Sequence, residues 1–339
     1  KKFEKTYLFW AYSKKQKILI IIIMDNENIN DNRSLLAIIM STKNGGKYIN
    51  DQLESIKSQK FKSLDLYISD NGSQDDTVEK IKQFKRKNPN LNIFLSKGDD
   101  DTFAKNFLKL LCSIKPKYKF YAFCDQDDIW LDFHLKRSVE EIISIREDIP
   151  YLCCSRTLLV NKKGALIGRS KLFKRPPSFK NALVQSIAGG NTMIFNRRAY
   201  NLVLNANIQE LPIPSHDWFL YLLVTAYNGK VSYCQKPSVK YRQHDSNLVG
   251  SNRGLLSFFR RFYIALNGKW KLWIDCNLEL LKSSRNLPKE SINIINKFKL
   301  MLSTNKTYDK LKIFRELKIY RQTFYGNINL LIALLINRL

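Results

Sequence analysis

Long apolar runs are what this chain most plainly lacks. Spanning a bilayer takes roughly 18 consecutive apolar residues, and the nearest candidates, residues 18–24 and 330–336, are far shorter. No small-residue cleavage site follows an apolar stretch near the start, so no secretory signal is expected in these residues. The six cysteines (Cys112, Cys124, Cys153, Cys154, Cys234 and Cys276) form no Cys-x-x-Cys and have no His at zinc spacing, which excludes the common structural zinc sites. Most lie in apolar segments and are expected to be free, buried thiols of a reducing compartment. The Gly-x-x-x-x-Gly-Lys loop and the Gly-x-Gly-x-x-Gly turn are both missing, which argues against P-loop and dinucleotide-binding enzymes. Internal repeats and low-complexity linkers are missing too. Acidic residues are scarce, 30 against 57 Lys+Arg, for a formal charge of +27. That balance implies an anionic partner: nucleic acid, an acidic membrane surface or phosphorylated substrates. The excess is concentrated toward the end, with 17 Lys+Arg against 5 Asp+Glu from Arg253 onward.

What is present is an alternation. Residues 35–41 form a continuous apolar run, the pattern of a strand buried on both faces, and end in Thr42-Lys43-Asn44-Gly45-Gly46. Tyr48, Ile49, Leu53 and Ile56 then recur at helical spacing. Strands are expected at 64–69 and 91–95, with helices at 75–87 and 102–114. The aromatic run 120–124 delivers three acids, Asp125, Asp127 and Asp128. This β-α-β order predicts an α/β fold with a mostly parallel sheet and helices on both faces. Beyond it are expected a helix at 133–145, an extended segment at 151–160, a turn ending at Gly164 and a loop at 173–178. Gly189-Gly190-Asn191 is expected to open a short strand at 192–195, and His216-Asp217-Trp218 to begin a helix. Strands are expected at 231–233 and 239–241, and from Gly254 the chain turns helical, basic and aromatic. One large domain over 35–251 with a helical extension over 252–339 accounts for the pattern. Met24, followed by a polar run, reads as a natural start, which would leave residues 1–23 upstream or foreign and 1–34 an N-terminal extension.

A buried strand cannot carry uncompensated charge, so the three acids must sit at its mouth. In an open α/β sheet the carboxyl end of a strand is where ligands bind. Hard oxygen donors there suit Mg²⁺ or Mn²⁺, and those ions suit a diphosphate; the plain alternative is an acidic turn capping the next helix. Asp70, ending the neighbouring strand in Ser-Asp-Asn-Gly-Ser, is placed to accept the ring N–H of a uracil or thymine.

Together these motifs resemble family 2 glycosyltransferases of the GT-A fold, over about residues 35–251. Asp-Gln-Asp-Asp-Ile-Trp, Gly-Gly-Asn-Thr-Met-Ile-Phe-Asn-Arg, His-Asp-Trp and Tyr-Arg-Gln-His look most like bacterial rhamnosyltransferases of O-antigen and capsule synthesis. The resemblance implies a nucleotide-sugar donor, dTDP-L-rhamnose or alternatively a UDP-hexose, with Mn²⁺ or Mg²⁺ as cofactor and a lipid-linked glycan as acceptor. It puts Thr42 and Asp70 at the nucleotide base and Asp125 at the ribose. Asn44, Gly190, Trp218 and Arg242 join the donor-binding set. Asp127 and His244 fall on the metal, and Asp217 is the implied general base. Each has a plainer reading: Asp217 as a helix N-cap, Trp218 as core, Arg242 paired with a surface acid. Lys43 stands where the family usually has an aromatic residue, and Asn71 where many members have a second Asp. His134 reads as a helix-surface residue without a role. Phe258, Phe259, Arg260, Arg261, Phe262, Tyr263, Trp270, Lys271 and Trp273 suit a helix lying on anionic lipid at the inner, cytoplasmic face of the membrane; the plainer reading is a packed helical bundle with a solvated basic face. The same mixture would suit nucleic acid, the rival class of partner, but no recognisable nucleic-acid module accompanies it.

Overall fold

The computed structural model describes residues 34–99, 102–206, 208, 212–244 and 268–339. The expected start at Met24 and the basic aromatic stretch from Phe258 to Tyr263 lie outside them.

The apolar runs form β1 (Leu36–Thr42), β2 (Leu64–Asp70), β3 (Asn92–Lys97) and β4 (Phe120–Cys124), parallel to one another in the order β3-β2-β1-β4. The linking helices are α1 (Ile49–Lys57), α2 (Thr77–Lys87) and α3 (Phe103–Ser113). Alternate residues of the central strands feed two separate cores, because successive side chains leave a strand on opposite faces. Ile38, Met40, Ala122 and Cys124 meet α1 and α2, whereas Ala37, Ile39, Tyr121 and Phe123 meet α3.

The second half departs from a purely parallel plan. After β5 (Ile129–Trp130) and α4 (His134–Ile143) come β6 (Tyr151–Val160), β7 (Leu166–Arg169) and the short helix α5 (Phe179–Ala182). A 3₁₀ turn, Gly190–Thr192, leads into β8 (Ile194–Asn196), which inserts antiparallel between β4 and β6. The strand expected at Thr192 therefore starts two residues later. Helices α6 (Arg197–Leu204) and α7 (His216–Ala226) follow. The two strands expected at 231–233 and 239–241 are one, β9 (Lys230–Arg242), which pairs parallel with β6 and antiparallel with β5. Its register slips opposite Ser155–Thr157, an irregularity that interrupts the apolar pattern and makes one strand read as two.

Every residue of α7 except Asp217 is buried. A helix apolar all round must be covered on all sides. One covering layer is the C-terminal part of the chain: α8 (Lys269–Lys282), α9 (Lys289–Ser303), α10 (Thr307–Leu317) and α11 (Phe324–Leu335). Ile274, Leu278, Leu281, Phe298, Met301 and Leu330 belong to the same apolar cluster as Phe107, Phe219 and Leu222. Polar contacts fasten the join. Gln322 accepts from the Arg175 N–H at 3.2 Å and donates to its carbonyl at 3.1 Å, and Asn181 donates to the Tyr320 carbonyl at 3.0 Å.

One residue expected at the helix surface is not there. His134 is 1% exposed, pressed against Trp130 and bonded through Nδ1 to Ser238 Oγ at 2.8 Å. It stands at the start of α4, on the side packed against β9. Burial and then Arg137 push its pKa down to about 3, so the ring is neutral.

Candidate active site

Loops at the carboxyl ends of β1, β2 and β4 form a floor, to which α7 and the end of β9 bring further side chains. The first two loops are stitched together. Thr42 Oγ1 donates to Asp70 Oδ1 at 2.9 Å, and Asp70 also accepts from the Ser73 N–H at 2.9 Å and the Ser73 O–H at 2.6 Å. Asn44 takes a left-handed backbone (φ 51), donates its N–H to Ser73 Oγ at 2.8 Å and accepts from the Gln74 N–H at 2.8 Å. Thr42, Asn44 and Asp70 thus come together as one unit. Gly72 holds φ 76, a conformation costly for residues with a Cβ, and nothing lies within 4 Å of where a side chain would stand. Backbone there is open to an approaching ligand.

Gln126 locks this floor to the acidic loop. Its carboxamide accepts from the Lys43 N–H and donates to the Lys43 carbonyl, both at 3.0 Å. The three neighbouring acids then divide. Asp128 is fully buried and ties structure together: it accepts from Asn191 Nδ2 at 2.5 Å and from the Arg242 N–H at 3.1 Å. Asp127 points to the cleft and meets His244 Nε2 at 2.7 Å, with side-chain exposures of 16% and 10%. Asp125 is destabilised as an anion. Burial, then Asp127, then Asp217 push its pKa up to about 8, and burial pushes Asp128 well above the usual carboxylate range. Charge repulsion of this kind is relieved by a bound cation.

Among the described residues, no group of three or more His, Cys, Asp or Glu side chains is arranged to hold such an ion. Asp127 and His244 nevertheless present two donors at one point. An ion that keeps waters and takes further oxygens from substrate phosphates needs few protein ligands, and one or two carboxylates suffice for Mg²⁺. The residues fit an ion shared with a diphosphate, not a protein-only cage.

Asp217 is the one residue of α7 left outside the core. Gly190 donates its N–H to Asp217 Oδ2 at 3.1 Å, while the Trp218 N–H at 2.5 Å and the Ser215 hydroxyl bond to Oδ1. Both oxygens are oriented, and the carboxylate is close enough to raise the pKa of Asp125. Gly190 is required at its position, because a Cβ there would lie 2.3 Å from His216 Nε2.

Two residues expected at the donor are built into the scaffold instead. Trp218 is 6% exposed and spends its indole N–H on the Ala182 carbonyl at 2.6 Å, so its ring packs in the core and offers no platform. Arg242 is 2% exposed. Its guanidinium pairs with Asp51 at 2.6 Å, donates to the Asp127 and Lys162 carbonyls at 3.0 Å each, and lies over Tyr48. It fixes the acidic loop from behind. Tyr48, which also stacks on His244 at 5.0 Å, was legible only as a residue at helical spacing. Gln126 and Asn191 lie inside the Asp-Gln-Asp-Asp and Gly-Gly-Asn-Thr motifs, which mark their place but not their role, whereas nothing local in the sequence marks Asp51.

Parallel strands that carry acids at their carboxyl ends, joined to an antiparallel half that returns Asp217 and His244 to them, define a glycosyltransferase of the GT-A fold. Residues 37–203 match the family model described as glycosyl transferase family 2, so this part of the chain carries a domain of that family. It is similar to the dTDP-rhamnosyl transferase RfbG of Shigella flexneri, 28% identical over 239 residues, 68% of this chain and 80% of that one. It is also similar to the chondroitin synthase of Escherichia coli, 24% identical over 63% of this chain but only 29% of the much longer relative. Among solved structures, S. aureus TarS 1–349 in complex with UDP-GlcNAc shares the fold with a TM-score of 0.52 at 17% identity, covering 83% of this chain and 80% of that one.

Proposed function

We propose that the chain is an inverting, metal-dependent rhamnosyltransferase. It moves L-rhamnose from dTDP-L-rhamnose onto a growing, lipid-linked bacterial surface glycan at the inner face of the cytoplasmic membrane. The observation that carries the reading is the convergence on the end of β4 of an Asp127–His244 pair and a separately oriented Asp217. The choice of rhamnose draws on the similarity to RfbG.

In this reading Asp70, held by Thr42 and Ser73, presents a carboxylate oxygen to the ring N–H of the base. Asn44 holds the loop beneath it, and Asp125 faces the ribose. Asp127 and His244 would hold Mn²⁺ or Mg²⁺, which when bound supplies charge neutralisation for the departing diphosphate. Asp217 takes the proton of the acceptor hydroxyl as its oxygen attacks the anomeric carbon from the face opposite the nucleotide. The donors on both Asp217 oxygens fix where that base points.

The test is nucleotide release from a panel of dTDP- and UDP-sugars, with Mn²⁺ or EDTA, for wild type and Asp127→Ala. Turnover of dTDP-rhamnose alone, abolished by EDTA and by the substitution, is the expected result. Turnover of a UDP-hexose would move the donor assignment. Release indifferent to both EDTA and Asp127→Ala would remove the metal from the mechanism.

A further inference from the structure

Helix α11 turns one apolar face outward from the other described residues. Its sequence contains no charged residue. Leu330, Ala333 and Leu334 face the core, while Phe324, Tyr325, Ile328, Ile332, Leu335 and Ile336 are 37–75% exposed. At 100° per residue those six fall within about 120° of one another, a single stripe along the helix. Contiguous exposed apolar surface on this scale marks an interaction site. The neighbouring α10 contacts α11 and exposes Tyr308, Lys312 and Arg315, which share a face at i, i+4 and i+7 spacing.

We propose that this stripe is the surface on which the chain lies against an anionic bilayer, with the exposed Lys312 and Arg315 of the neighbouring α10 engaging lipid phosphates. The proposal deepens the membrane-side half of the function proposed above and rests on it. Charge decides the occupant. A second copy would bring another chain of formal charge +27, and the same basic flank, against this one. An anionic leaflet meets apolar stripe and cations alike, each Lys or Arg near such a surface adding to the attraction. The aromatic residues stand at the start of α11, and aromatic rings prefer the headgroup level. At 12 residues α11 is too short to cross a bilayer, and no described helix is long and apolar enough to do so, so the geometry is that of a helix lying in the interface.

The test is co-sedimentation with vesicles of phosphatidylcholine alone or with about a third phosphatidylglycerol, read beside donor turnover without lipid acceptor. Wild type is expected on the anionic vesicles, less so as salt rises. The Ile328→Asp/Ile332→Asp double variant, with unchanged circular dichroism, should bind at least about tenfold more weakly. Lys312→Glu/Arg315→Glu should bind about tenfold more weakly to anionic vesicles only. Donor turnover should be unchanged in both. Equal vesicle binding by wild type and the Asp double variant would overturn the proposal. So would a wild-type dimer in sedimentation velocity that this variant dissociates without losing vesicle binding. Intact donor turnover with no vesicle binding by wild type overturns the docking surface and leaves the transferase reading standing; vesicle binding without turnover of any donor does the reverse.

Discussion

At the scale of single residues, chemistry at the site turns on neighbours that residue type does not reveal. Asp127 and Asp128 are adjacent and identical, yet one opens to the cleft and the other is sealed under Asn191 and the Arg242 backbone. The sequence marks the mouth of the strand; only the placement of the Gly190–Thr192 turn and the end of β9 tells the two acids apart. The same is true of histidine. His134 looked like a surface residue because a helix start shows which turn a residue occupies but not which side will be covered. Its burial has a measurable consequence. The folded ring resists protonation down to about pH 3, whereas in the unfolded chain it titrates near 6.5. Between those values the unfolded state binds a proton that the folded state does not, so this residue's contribution to stability falls as pH is lowered through that window. The slope is up to about 1.4 kcal/mol per pH unit. His134→Leu removes that component while losing the bond to Ser238, which costs about 1 kcal/mol. In urea unfolding, the wild type should be the more stable protein at pH 7.5, with the gap closing or reversing by pH 5. A gap that stays constant would mean the ring is not the buried neutral group described.

At the scale of elements, legibility follows how local the cause is. β1, β2 and β4 were readable because a strand buried on both faces must be a continuous apolar run, and α7 because its apolar composition and first-turn acid are contiguous. β9 was readable only in pieces, since its irregularity breaks the run. The partnership of Arg242 at its end with Asp51 on α1 spans 191 positions and leaves no periodicity to find. That pair fastens the end of β9 to α1, while the same guanidinium holds the Asp127 carbonyl of the acidic loop. Arg242→Lys keeps the charge but cannot reach Asp51 and the Asp127 and Lys162 carbonyls together, because an ammonium lacks the planar fork. We expect a loss of about 2 kcal/mol in unfolding free energy. Donor turnover should fall further than that loss accounts for, since the backbone of Asp127 is released; unfolding curves and steady-state release on one preparation would separate the two effects.

At the scale of the molecule, the C-terminal helices share their apolar cluster with α3, α6 and α7 instead of building a core of their own. A boundary near residue 252 was drawn where composition turns basic and helical, and composition does not report that Ile274 and Leu281 pack with Phe219. One continuous cluster predicts one cooperative transition in calorimetry across the catalytic half and the helices together. Gln322→Ala, which strips the two side-chain hydrogen bonds to the Arg175 backbone, should lower that single midpoint, at a cost of about 1–3 kcal/mol. Separation into two transitions would show that the helices fold independently.

The placement of β9 also orders events during synthesis. The two loops that hold Thr42, Asn44 and Asp70 are translated within the first hundred residues of the sequence, and Asp127 emerges soon after. Arg242 and His244 leave the ribosome more than a hundred residues later, and the helices that close over α7 later still. A nascent chain thus carries both loops well before it has the second half of the Asp127–His244 pair, and a domain that folds as one unit waits for β9 and the helices behind it. Any translation product that stops short of β9 therefore lacks both the brace behind the acidic loop and the histidine that meets Asp127.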